Sequence, residues 1–315
     1  MRLVDQIVHH PASIAVQDRA GLTHDLPAAG AHNAAILLCP LRFVLDDSAS
    51  RHCMELFLSG SDLLALDPRL TRLPAERLWI EWIANPPYSA TPGLRVGTLI
   101  ESGIEGRSGT IRPYYREEDG GPALMLAAID FDLDAEPACP PGALAVHHGR
   151  LGSLGGLMRH MIFRPDPAWA AFARANGNPF QRDLGELAEA SWIYLPFVVA
   201  FTVLLNTKGA LAQRPSQLGR LNAARAKRGR IPLLDHIEVS LNLWAGNGDD
   251  RGRNGFARSP ARLHQVRGHL VHRHGRIFWR KAHLRGDATR IIATRTVRVT
   301  SRRANDRLPA QHGFG

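Results

Sequence analysis

The sequence predicts an α+β protein: an antiparallel, β-rich N-terminal domain, a helical middle, and a basic C-terminal helix plus antiparallel sheet. Three observations predict it. Short apolar runs separated by Pro/Gly-rich stretches follow Leu78, the most apolar segment of the chain spans Leu184–Leu205, and the charge balance steps near Lys208. At 315 residues with 44% apolar content, the chain is long enough for two or three domains with buried cores. The expected divisions are 1–133, mostly β; 134–207, a Pro/Gly linker and an apolar helical segment; 208–303, a basic α+β domain; and a tail, 304–315.

Residues 1–34 show no sustained period and read as irregular. No uninterrupted apolar stretch resembles a signal peptide. Ala35–Val44 is an apolar run broken by Pro40. Leu78–Ile83, Arg95–Glu101, Thr110–Tyr115 and Ala123–Phe131 then read as an antiparallel meander, with Pro113 forcing its strand to an edge or an early end. Asp134–Gly156, rich in Pro and Gly, is the expected domain boundary. Asp166–Asn176 reads as a short helix with Pro167 in its first turn. Leu184–Leu205 approaches the length of a membrane span, but Glu186, Glu189, Ser191 and Pro196 favour a buried helix kinked at the proline.

Beyond Asn206 the text becomes basic. Leu218–Arg230 reads as a helix stopped by Gly229, Asp235–Leu243 as a strand, and Gly246–Gly255 as a flexible loop. Arg262–Leu270 and Arg276–Leu284 read as a hairpin, and Arg290–Thr300 as a last strand.

The charge step bears most directly on function. Residues 1–207 hold 16 Arg and 23 Asp+Glu, a net of −7, whereas 208–303 hold 22 Lys+Arg and 5 Asp+Glu, a net of +17. A GC-rich genome explains why all but three of these cations are arginine. It does not explain why acids become scarce after Lys208. A basic unit of this kind expects a polyanion as partner, and DNA and RNA fit it alike. A membrane partner is not expected. Cys39, Cys53 and Cys139, odd in number and widely spaced, argue against a disulfide framework or zinc ribbon and fit a reducing compartment.

Candidate chemistry is densest in Ser259–Gly286. Arg225, Lys227, Arg228 and Arg230 on the basic helix, with Arg262, Arg267, Arg280 and Lys281, are candidate phosphate contacts, and Trp279 is a candidate stacking surface. His264, His269 and His283 with Arg267 also supply the residue types of a metal-independent ribonuclease: a general base, a general acid and a cation for the phosphate. The plain alternative is a solvated sheet face. No metal site is expected, because no Cys follows Cys139 and no carboxylate lies between Asp250 and Asp287. No cofactor is expected either, since no phosphate-cradling glycine motif is present.

Leu205-Asn206, the LNAARAKRGRIPLL segment and Ser259, Pro260, His264, Arg267, Gly268, His269, Trp279 and Gly286 together resemble a group of uncharacterised phage and prophage proteins. In that group an S-P-x-x-H-x-x-R-G-H motif precedes a Trp-containing strand. The resemblance covers about residues 203–299, with a weaker match at 73–101. It implies a mobile-element setting, in the bacterial cytoplasm or the virion, and adds a virion structural or accessory role to the alternatives.

Overall fold

The computed structural model describes residues 2–242 except 18–22, 28–29, 59–62, 85–92, 117–120, 136–156, 158 and 177–190. Beyond them it describes the backbone of four short strands between 264 and 285. Two compact units emerge, Met1–Leu243 with His269–Lys281, and Trp244–Gly268 with Ala282–Gly315.

The first unit is built on a mixed sheet whose main path runs β10-β11-β3-β4-β5-β6-β7-β1-β2. Its strands are β1 (Ser13–Gln17), β2 (Thr23–Pro27), β3 (Leu41–Leu45), β4 (Arg77–Ala84), β5 (Leu94–Ser102), β6 (Ser108–Arg116), β7 (Ala123–Leu124), β10 (Leu211–Pro215) and β11 (Ile237–Leu241). Two further strands, β8 (Ala127–Asp132) and β9 (Met161–Pro165), branch from β6. The helices are α1 (Leu3–His9), α2 (Gly30–Leu37), α3 (Asp47–Leu58), α4 (Pro167–Ala175), α5 (Tyr194–Asn206) and α6 (Gly219–Ala226).

β4 lies at the centre, and its sequence shows why. Leu78–Trp82 are buried without a break, as expected for a strand covered on both faces rather than one. Leu78, Ile80 and Trp82 join α3 and α5 in one core. Trp79 joins α1, α2, Leu99 and Tyr114, with Trp169 of α4, in the other. The sheet therefore carries helices on both faces.

The meander is observed as β4-β5-β6, all antiparallel, with the last predicted run split into β7 and β8. The sheet departs from the purely antiparallel expectation, because β3 pairs in parallel with both β4 and β11. Pro113 lies inside β6 rather than at an edge. Its carbonyl accepts from Met125 N (3.0 Å), so its ring nitrogen faces the same side, at the break between β7 and β8 where no ladder donor is needed.

The residues expected to be irregular form α1, β1, β2 and part of α2. The expected linker contains β9, α4 and α5, all packed on the N-terminal sheet, and β10 and β11 extend that sheet beyond Lys208. Within the described residues, the charge step is thus not a boundary between separate sheets.

α4 is capped as its sequence implies, with the Asp166 carboxylate accepting from Ala168 N (2.8 Å) and Pro167 in the first turn. α5 starts at Tyr194, so Pro196 sits in the first turn, where its missing N–H has no helical acceptor to lose. No kink is required there. Tyr194–Leu204 are buried at every position, and Phe197 stacks on Trp82 with ring centroids 4.0 Å apart. Full burial within the protein accounts for the apolarity of α5, and no described helix is long and apolar enough to cross a membrane. At its end, Asn206 Nδ2 donates to the carbonyls of Arg69, Leu70 and Arg72, holding the turn at Pro68–Leu70 against the helix.

Candidate nucleic-acid interface

α1 positions the basic segment. It is short for a stable helix, and its anchor comes from far along the chain. Glu81, fully buried on β4, accepts from Leu3 N (2.8 Å) and Val4 N (3.1 Å), the free amides at the start of α1. The same carboxylate accepts from Trp79 Nε1 (3.3 Å) and pairs with Arg95 Nη1 (3.0 Å).

From α1, three contacts reach the segment after Lys208. Arg2 pairs with Glu238 (3.2 Å), buried Asp5 accepts from Leu234 N (2.9 Å), and His9 Nε2 lies 3.1 Å from Arg225 Nη2. Because the guanidinium only donates, His9 Nε2 is the acceptor in this contact.

α6 and its return loop are tied together by side chains. Asn222 donates to Leu233 O (3.0 Å) and accepts from Leu233 N (2.8 Å), while Arg225 Nε donates to Ile231 O (2.9 Å). Gly229 takes a positive φ of 64°, and Arg230 N returns to Arg225 O (3.0 Å), closing the helix end. Ser216 and His236 exchange two further bonds at the base of the loop.

This arrangement sorts the predicted phosphate contacts. Arg225 is half-buried and engaged with Ile231 and His9, so its role is to position the loop. Lys227, Arg228 and Arg230 are exposed, as are Lys208, Arg214 and Arg220, which the sequence did not single out. No carboxylate pairs with any of these six among the described residues. Most described arginines of the preceding body behave differently: Arg51, Arg69, Arg72, Arg77, Arg107, Arg112 and Arg164 each meet an Asp or Glu, while Arg42 and Arg174 donate to backbone carbonyls.

Two short antiparallel ladders, one in each unit, fall within the stretch where the sequence predicts a hairpin. β12 (His264–Val266) pairs with β15 (His283–Arg285), and β13 (His269–Arg273) pairs with β14 (Arg276–Arg280). In the first, His264 stands opposite Arg285 and Val266 opposite His283, so His264 and His283 occupy diagonal positions on one face. In the second, His269 stands opposite Arg280 and Trp279 opposite Leu270, which places His269 and Trp279 on alternate faces. Arg262, Arg267 and Lys281, the Gly246–Gly255 loop and the predicted strand Arg290–Thr300 lie outside the described residues.

No group of three or more His, Cys, Asp or Glu side chains suited to a metal ion occurs among the described residues. Comparison with family models, curated proteins and solved structures yields no match to this chain.

Proposed function

We propose that the protein binds nucleic acid through its basic C-terminal third, in the phage or prophage setting that the sequence resemblance implies. The observation that carries this reading is the contrast in charge pairing. Most described body arginines pair with an Asp or Glu, whereas the described cations from Lys208 to Arg230 have no acidic partner among the described residues and, apart from inward-facing Arg225, are exposed. An unneutralised basic surface raises the local concentration of polyanions and gains from counterion release when phosphates replace small ions. Arg220, Lys227, Arg228 and Arg230 supply such a surface on a helix and loop whose backbone is fixed by Asn222, Arg225 and α1. Arg262, Arg267, Arg280 and Lys281 extend the same reading to the hairpin.

Fluorescence anisotropy with a labelled oligonucleotide at two salt concentrations tests the proposal. Binding at low salt that weakens with a log–log slope of several units is the expected result. Absent binding, or binding indifferent to salt, refutes it.

A second reading, metal-independent cleavage of RNA, draws on the diagonal placement of His264 and His283. Such neighbours lie about 7 to 8 Å apart between Cα atoms, within span of one phosphodiester. It predicts cleavage in EDTA that is lost in both His264→Ala and His283→Ala while oligonucleotide binding persists.

A further inference from the structure

The β13–β14 ladder separates its residues into two faces of different chemistry. One carries His269, Val271 and Arg273 with Arg276, Phe278 and Arg280, and the other carries Leu270 and His272 with Ile277 and Trp279. On the first face, the Val271–Phe278 pair stands between two cation-bearing pairs, His269 with Arg280 and Arg273 with Arg276. Arg273 stands directly opposite Arg276 in the ladder register. An aromatic residue flanked by two basic pairs is the arrangement that stacks a base and holds the phosphates on either side.

We propose that this face is a single-stranded nucleic-acid platform, with Phe278 as the stacking residue and His269, Arg273, Arg276 and Arg280 as phosphate contacts. The inference rests on the nucleic-acid reading above and narrows it to a substrate class. In a duplex each base is already covered on both sides by its neighbours, so an aromatic platform selects unpaired strands. Trp279, the aromatic that the sequence brings forward, belongs to the opposite face with Leu270, His272 and Ile277.

The test uses the full-length protein with a labelled oligo(U) of about 16 nucleotides, long enough to fill one site, and a duplex of the same length. Wild type is expected to prefer the single strand. Phe278→Leu, which retains an apolar residue opposite Val271, is expected to weaken single-strand binding about tenfold and leave duplex binding unchanged. Phe278→Tyr, which retains a ring, is expected to bind as wild type, and Trp279→Leu to keep the single-strand preference. Equal affinity for both probes with Phe278→Leu silent overturns the proposal, as does loss of the preference in Trp279→Leu but not in Phe278→Leu. Failure of wild type to bind either probe at low salt instead removes the nucleic-acid reading itself, and the platform with it.

Discussion

Replacing Glu81 by Gln removes a charge and one acceptor oxygen from the point where β4, α1 and Arg95 meet. In the wild type, one carboxylate oxygen serves Leu3 N and Arg95, and the other serves Val4 N and Trp79 Nε1. A carboxamide fits only one of these pairs, and its NH2 faces the two donors of the other. Two buried donors then lose their acceptors, at about 1 to 3 kcal/mol each. Arg95 also loses its counter-charge, although its side chain is 29% exposed and water covers part of that loss. The two losses span about 2 to 6 kcal/mol together, and a value in the lower half, about 3 kcal/mol in total, is therefore the expected destabilisation. With a urea m-value of about 3 kcal/mol/M, that is a fall of roughly 1 M in the unfolding midpoint. Native-state hydrogen exchange should also show the Leu3 and Val4 amides losing protection ahead of the β4–β5 ladder. An unchanged midpoint together with unchanged Leu3 and Val4 protection would falsify the assignment of Glu81 as the anchor of α1.

Gly97→Ala should destabilise by about 1 to 3 kcal/mol or prevent soluble expression, because a Cβ there would overlap the ring of buried Trp79; thermal melts compared with wild type check this. Burial lifts the Cys39 thiol from 9.0 to about 11 and the Cys53 thiol higher still, so in a Cys139→Ser variant neither should react with a thiol reagent at pH 8 until the protein unfolds. Because the folded state holds the Cys39 proton more tightly, its contribution to stability is present below pH 9 and disappears as pH rises towards 11, seen as a falling urea midpoint. For the interface, Lys227→Ala, Arg228→Ala and Arg230→Ala should each weaken binding and reduce the salt slope by about 1, whereas Arg225→Gln should loosen the loop without removing a phosphate contact. A slope reduced equally by Arg225→Gln contradicts its inward role.

The elements legible in the sequence are those whose signals are local. Asp166 and Pro167 mark the start of α4, Gly229 marks the end of α6, and the alternation around His264–Leu284 marks paired strands. What escaped the sequence depends on distant partners. The buried positions of α1 include Asp5 and Gln6, so it shows no apolar stripe, and its N-terminal cap lies 78 residues away on β4. β10 is exposed over Ala212–Pro215 and is a strand only because β11 pairs with it, while Pro215 suits its edge position. The parallel placement of β3 beside β4 is likewise a fact about partners, since Leu41–Leu45 has the same composition whichever way its neighbour runs.

The same distinction governs the candidate interface. In a chain where nearly every cation is arginine, residue type alone carries little information about role. A genome-wide bias towards arginine would supply cations everywhere and predicts no difference in their surroundings along the chain. The surroundings do differ. Arg107 bridges Asp134, Arg164 bridges Asp130, and Arg77 and Arg112 share Glu101. Past Lys208 the carboxylates needed for such pairing are missing from the sequence until Asp235, so Arg220, Lys227, Arg228 and Arg230 stay exposed. Arg225 is the informative exception. It is satisfied by a carbonyl and an imidazole rather than by a carboxylate, and so holds the loop without neutralising it. Had an Asp or Glu occupied either partner position, one more cation would be spent internally. Using a carbonyl and an imidazole at that point ties the loop down without a carboxylate to offset its positive charge, as recognition of a polyanion by a fixed surface would require.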